Sequence, residues 1–131
     1  MKALQLASLL LFVFLTTATS CEDDEDIVCL QSNWIGTYSG VIDCAGTEED
    51  LTLTITADGA DNIVISYETP TTTVDFTPIP FNNCNLEASF TQDNLTISIA
   101  SNLTGGEVLN LMQTIVDGTT TSVCEIAATR N

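Results

Sequence analysis

From Trp34 onward, apolar and polar residues alternate in short runs separated by turn residues. The clearest run, Leu51-Thr52-Leu53-Thr54-Ile55-Thr56, sets aliphatic side chains on one face and threonines on the other. That period of two marks a half-buried strand. The same pattern predicts a first strand over 34–42 and a second over 51–56. Asp58-Gly59-Ala60-Asp61-Asn62 then turns the chain into a third over 63–67. A fourth, Val74-Asp75-Phe76, is predicted to stop at Pro78 and Pro80, which cannot donate to a ladder. The fifth spans 84–91 with Leu86, Ala88 and Phe90 on one face, and Asp93-Asn94 is a tight hairpin signal before the sixth, 95–99. Thr104-Gly105-Gly106 leads to a seventh over 108–116, whose imperfect alternation also admits a helix. Asp117-Gly118 leads to an eighth over 119–129.

Eight consecutive strands with short connections imply an all-β domain, an antiparallel up-and-down β-barrel whose closure removes exposed edges. A β-sandwich is the alternative. One face collects Trp34, Tyr38, Ile42, Leu53, Ile55, Ile63, Ile65, Tyr67, Phe76, Phe90, Ile97, Ile99 and Ile126. An eight-stranded barrel is just wide enough to be filled by side chains or to hold one small ligand. So much bulk in so short a barrel favours a filled core, and Tyr67 and Phe90 are the aromatics placed to line a pocket if one exists.

The chain begins differently. Met1-Lys2 precedes an apolar run over 6–15, followed by Thr16-Thr17-Ala18-Thr19-Ser20 and Cys21. Charge, apolar core and small residues in that order predict a signal peptide over 1–20. The core is shorter than the ~20 residues a spanning helix needs. Ala18-Thr19-Ser20-Cys21 also resembles a bacterial lipobox, with Ala18 where that motif usually has Leu. Cysteine parity agrees: of Cys21, Cys29, Cys44, Cys84 and Cys124, acylation of Cys21 leaves an even four. Residues 21–32 would then be anchor and spacer, and 33–131 the barrel domain. The run Glu22-Asp23-Asp24-Glu25-Asp26 is similar to the signal that carries some lipoproteins to the outer face of the outer membrane, which implies a lipid-anchored protein at the bacterial cell surface.

Trp34-Ile35-Gly36-Thr37-Tyr38, a W-x-G-x-Y start, resembles the lipocalin-like small barrels, although Ser32 stands where that family usually has Gly. The resemblance implies that a basic residue of the last strand covers the tryptophan and closes the barrel. Arg130, the one cation beyond Lys2, is placed to do so by a cation–π contact with Trp34. In the meander, Cys29 precedes strand one and Cys84 begins strand five, while Cys44 ends strand one and Cys124 lies in neighbouring strand eight. Of three possible pairings, Cys29–Cys84 and Cys44–Cys124 fit that layout, and an oxidising compartment permits them.

Charge narrows the function. Lys and Arg number 2 against 18 Asp and Glu, a net charge of −16, with no His. Nucleic-acid binding, which needs clustered basic residues, is excluded as an expectation. No His base exists for Ser, Thr or Cys, so the remaining catalytic chemistry is that of paired carboxylates. Asp75, Glu87 and Glu125 fall on the polar face, and Asp43 ends a strand, so no enzyme is expected. Glu48-Glu49-Asp50 and Asp58 with Asp61, read as loops, offer oxygens to calcium without the EF-hand spacing. No metal or cofactor is expected. Two functions remain: a non-catalytic module binding a small apolar molecule or a glycan, and a structural interaction protein of the cell envelope with a filled barrel and a protein partner.

Overall fold

The computed structural model describes residues 28–131. The signal peptide, the acylated Cys21 and the acidic run 22–26 lie outside the described residues. The described chain opens with a single helical turn, α1 (Gln31–Trp34), and continues as eight strands. They are β1 (Gly36–Cys44), β2 (Thr47–Asp58), β3 (Asn62–Glu68), β4 (Thr73–Asn82), β5 (Asn85–Gln92), β6 (Leu95–Thr104), β7 (Val108–Asp117) and β8 (Thr120–Arg130). Each strand pairs antiparallel with the next, and β8 returns to β1, so the sheet closes into an up-and-down barrel and not a sandwich.

Alternation fixes the radial sense of the strands, with one change of phase in β4, where Phe76 and Ile79 are both buried. In β2 the buried positions are Leu51, Leu53 and Ile55; in β3, Ile63, Ile65 and Tyr67; in β8, Cys124, Ile126 and Ala128. Trp34, Tyr38, Leu53, Ile55, Ile63, Ile65, Ile79, Leu86 and Leu109 are almost wholly removed from water. Side chains of this size each contribute ~1.5–3 kcal/mol on burial. The acids Asp43, Asp75, Glu87 and Glu125 all point outward and are exposed. A wall that is apolar inside and charged outside is the reverse of a membrane-spanning barrel, whose lipid-facing band is apolar.

Several boundaries depart from the sequence expectations. Trp34 does not open β1; it ends α1, and the strand starts two residues later. The seventh segment is a regular strand, joined to β6 and β8 by ten pairs each. Glu48-Glu49-Asp50 lies on β2 and not in a loop. β4 runs through both prolines instead of ending at them. Pro78, preceded by a cis peptide bond, lies where the β3 register slips between Ile63↔Ile79 and Ile65↔Phe76. On its other side β4 meets β5 at only two pairs, Phe81↔Leu86 and Asn82↔Asn85, whereas every other seam has six to ten. Proline is tolerated where a ladder slips or is missing, and β4 supplies both conditions here.

One end of the barrel is stoppered by the segment that precedes β1. Gln31 Nε2 donates to the carbonyls of Gly59 and Asn62 in the β2–β3 turn, at 2.9 and 2.7 Å. Trp34 Nε1 donates to the carbonyl of Asn83 at 2.9 Å, and the Cys29 amide donates to the Asn83 side chain at 2.5 Å. The Cys29–Cys84 disulfide ties the same segment to the β4–β5 turn. Residues 29–32, read from sequence as spacer, are thus built into the folded unit. The second disulfide joins Cys44 to Cys124, directly opposite each other on β1 and β8.

Candidate functional site

Two regions compete as a binding site: the barrel interior and its outer wall. Inside, Tyr67 and Phe90 belong to a chain of packed aromatic rings. Tyr67 is 5% exposed and its hydroxyl donates at 2.8 Å to Gln113 Oε1, itself 3% exposed. Burial raises the Tyr67 pKa above its ordinary 10.0, against a smaller lowering by the Gln113 hydrogen bond. The Tyr67 ring lies 6.2 Å from Phe76, which stacks on half-buried Phe90 at 5.8 Å. Three aromatic rings in sequence are core packing. They also bridge the poorly laddered β4–β5 seam from within, since Phe76 is on β4 and Phe90 on β5.

At the stoppered end, Arg130 lies over the ring of Tyr38, its Cζ 5.3 Å from the centroid, and not over Trp34 as expected. Register explains the exchange: Tyr38 and Arg130 are direct partners on β1 and β8, while Trp34 sits in α1 before the strand begins. Arg130 Nη2 donates to the Tyr38 hydroxyl at 2.9 Å and to the carbonyl of Asn33, and the Tyr38 hydroxyl donates to the carbonyl of Trp34 at 2.8 Å. The Arg130 Nε is buried without a partner among the described residues. This cluster closes the barrel bottom.

A concavity lies on the outer wall. Across β5, β6, β7, β8 and β1 lies an open groove of about 620 Å³. Its lining follows from register. One row across the strands reads Glu87, Ala100, Met112, Glu125, Asp43. The adjacent row reads Asn85, Asn102, Asn110, Ala127, Val41. Neighbours in a row stand about 4.8 Å apart, the spacing of hydrogen-bonded strands. Three asparagines therefore form a ladder, with Asn110 Nδ2 donating to Asn102 Oδ1 at 3.4 Å. Ala100 and Ala127 keep the floor low, and Met112, 49% exposed, provides its apolar wall.

A second depression of about 420 Å³ adjoins it along β5, β6 and β7, sharing Glu87, Ala100 and Met112. Its other lining includes Ser89, Ser98 and Thr114, and the two serine hydroxyls are 3.1 Å apart. Carboxamides donate and accept, carboxylates accept, and hydroxyls do both. The groove thus offers dense hydrogen bonding above a shallow apolar floor and no positive charge. Among the described residues, no three Asp, Glu or Cys side chains are grouped to hold a metal ion. Tyr67 and Phe90 do not contribute to this groove, whereas Glu87 and Glu125, noted in the sequence only as outward acids, do.

Comparisons with known proteins bear on the fold. No protein-family model matches the chain, and no curated protein matches it. Among solved structures, it is similar to a "putative outer membrane protein" from Bacteroides fragilis, with a TM-score of 0.58 and 14% identity over 77% of this chain and 52% of that one. It is also similar to a protein of unknown function of the DUF3598 family from Nostoc punctiforme, with a TM-score of 0.53 and 12% identity over 79% of this chain and 50% of that one. The chain thus spans about half the length of these structures. At such identities the likeness is one of fold.

Proposed function

We propose that the protein is a lipid-anchored envelope protein whose barrel is a non-catalytic glycan-binding module, with the binding site outside the wall and not inside the barrel. The observation that carries this reading is the groove over β5–β8 and β1, where Asn85, Asn102 and Asn110 stand in register beside Glu87, Glu125 and Asp43. Its volume falls in the range of ~300–1,000 Å³ typical of small-molecule sites. Sugar hydroxyls give and take hydrogen bonds at adjacent carbons, which suits amide and carboxylate groups a strand apart, and sugar C–H faces suit the Ala100, Met112 and Ala127 floor. Packing of Tyr67, Phe76 and Phe90 speaks against a small apolar molecule held within the barrel.

The anchor rests on the sequence. Cys29, Cys44, Cys84 and Cys124 are joined in two disulfides, which leaves Cys21 as the fifth cysteine, directly behind Ala18-Thr19-Ser20. The likeness in fold to an outer membrane protein candidate of Bacteroides fragilis supports an envelope location. The test is calorimetric titration of the full chain with neutral oligosaccharides, beside an Asn102→Trp variant that fills the groove. Binding that this variant abolishes without lowering the melting temperature supports the reading. Absence of carbohydrate binding, or binding indifferent to Asn102→Trp, overturns it and leaves the interaction protein with a filled barrel. Metabolic labelling with palmitate, lost in Cys21→Ser, tests the anchor separately.

A further inference from the structure

The groove has two compartments, and they lie in line along β5, β6 and β7. The first, about 620 Å³, holds the asparagine ladder; the second, about 420 Å³, is lined by hydroxyls of Ser89, Ser98 and Thr114. They share Glu87, Ala100 and Met112, so nothing taller than an alanine stands between them on β6. A single sugar unit has no use for both. Resting on the glycan reading above, we infer that the groove takes a linear oligosaccharide of at least two units, one seated on Asn102 and Asn110 and the next against Ser89 and Ser98.

The electrostatics fix the charge of that oligosaccharide. Asp43, Glu87 and Glu125 are exposed along the first compartment, and the chain carries −16 overall. Arg130, the only cation among the described residues, is turned to Tyr38 and Asn33 at the stoppered end and is absent from the groove lining. An anionic glycan meets like charge with no compensating cation, whereas a neutral one is accepted. One bearing amino groups gains charge-assisted hydrogen bonds to the carboxylates. The occupant is therefore a neutral or amino oligosaccharide, and uronic-acid or sulfated chains are excluded.

The experiment uses the full chain and three defined ladders of increasing length: neutral β-linked glucose oligomers, chitosan oligomers and galacturonic acid oligomers. Affinity in the first two ladders is expected to rise by at least about tenfold, equivalent to ~1.4 kcal/mol, between the single sugar and the disaccharide or trisaccharide. Chitosan oligomers should bind tighter than neutral ones at low salt and lose that margin as salt screens the carboxylates. The acid ladder should not bind. Ser89→Trp, an exposed change confined to the second compartment, should remove the length dependence while single-sugar binding persists; Asn102→Trp should remove both. Binding that does not depend on length, or is untouched by Ser89→Trp, overturns the two-compartment inference and leaves the groove reading intact. Preference for the acid ladder overturns the charge assignment. Failure of every sugar to bind, with melting temperatures unchanged, overturns the glycan reading itself, and retention of a lysine-rich peptide instead would assign the groove to a cationic protein partner.

Discussion

Among the glycines, Gly40 is the one with least room for a side chain. It faces inward on β1, paired with Ala128 of β8 in the seam that closes the sheet. A Cβ there would lie 2.0 Å from the carbonyl oxygen of Ala127 and 2.6 Å from the Cα of Ala128. Both obstacles are backbone, so no side chain can swing away. A carbon sits comfortably at about 3.3–3.6 Å from a carbonyl oxygen. Gly40→Ala must therefore spread β1 and β8 by more than ~1 Å, beyond the ~2.7–3.2 Å range of a ladder hydrogen bond. Losing the bonds on either side costs ~0.5–1.5 kcal/mol each, and forcing backbone apart in a packed wall adds ~1–3 kcal/mol. The sum, ~2–6 kcal/mol, is a large part of the ~5–15 kcal/mol that stabilises a domain. Urea unfolding of the oxidised protein measures it, with the exposed Ser39→Ala on the same strand expected within ~0.5 kcal/mol of the parent. A Gly40→Ala loss below ~1 kcal/mol with an unchanged urea slope would show that the seam is not as tight as the backbone positions require.

Tyr67→Phe leaves the Gln113 side-chain oxygen buried without its donor, and should cost ~1–3 kcal/mol in urea unfolding at neutral pH. Because burial raises the Tyr67 pKa, the unfolded chain ionises first; stability should hold below pH 10 and fall above it, and Tyr67→Phe should flatten that alkaline decline in a pH series of melts. Replacing both Cys44 and Cys124 by serine opens a loop whose ends are 80 residues apart, an expected loss of about 4 kcal/mol by chain entropy, read by the same unfolding titration. Arg130→Gln removes the cation over Tyr38 and should lower stability by ~1–2 kcal/mol, with near-ultraviolet circular dichroism reporting the change around the Tyr38 and Trp34 rings.

Much of the wall is written locally. The strict alternation of Leu51 to Thr56 and the turn residues at Asp58-Gly59 and Asp93-Asn94 suffice for strands and hairpins, because side-chain direction in a strand has period two whatever surrounds it. What failed depended on neighbours. Proline ends a strand only if its missing N–H is needed, and the sparse β4–β5 ladder that spares Pro78 and Pro80 is a property of the whole sheet. Arg130 selects Tyr38 over Trp34 through β1–β8 register, which no local pattern specifies. The groove was hidden for the same reason. Asn85, Asn102 and Asn110 are ordinary outward residues on three different strands, and the imperfect alternation around Met112 was its one local sign: an apolar side chain on a polar face.

The seam between β4 and β5 has a consequence for how the chain finds its fold. Counted by rungs, the barrel is a sheet running β5-β6-β7-β8-β1-β2-β3-β4 whose two borders are barely joined. Its covalent ends are sewn in the middle by the seven pairs of β1 with β8. The sparsest seam thus joins strands adjacent in sequence, while the seam that closes the barrel, with its seven pairs, joins the two strands most distant in sequence. Hairpins form the greater part of the wall, but the barrel closes only when β1 finds β8, and that search sets the pace, because closing long loops is the slow part of non-local topologies. An oxidised Cys44–Cys124 bridge carries that search out before the strands assemble, so refolding with the disulfide intact should be much faster than refolding of the reduced chain.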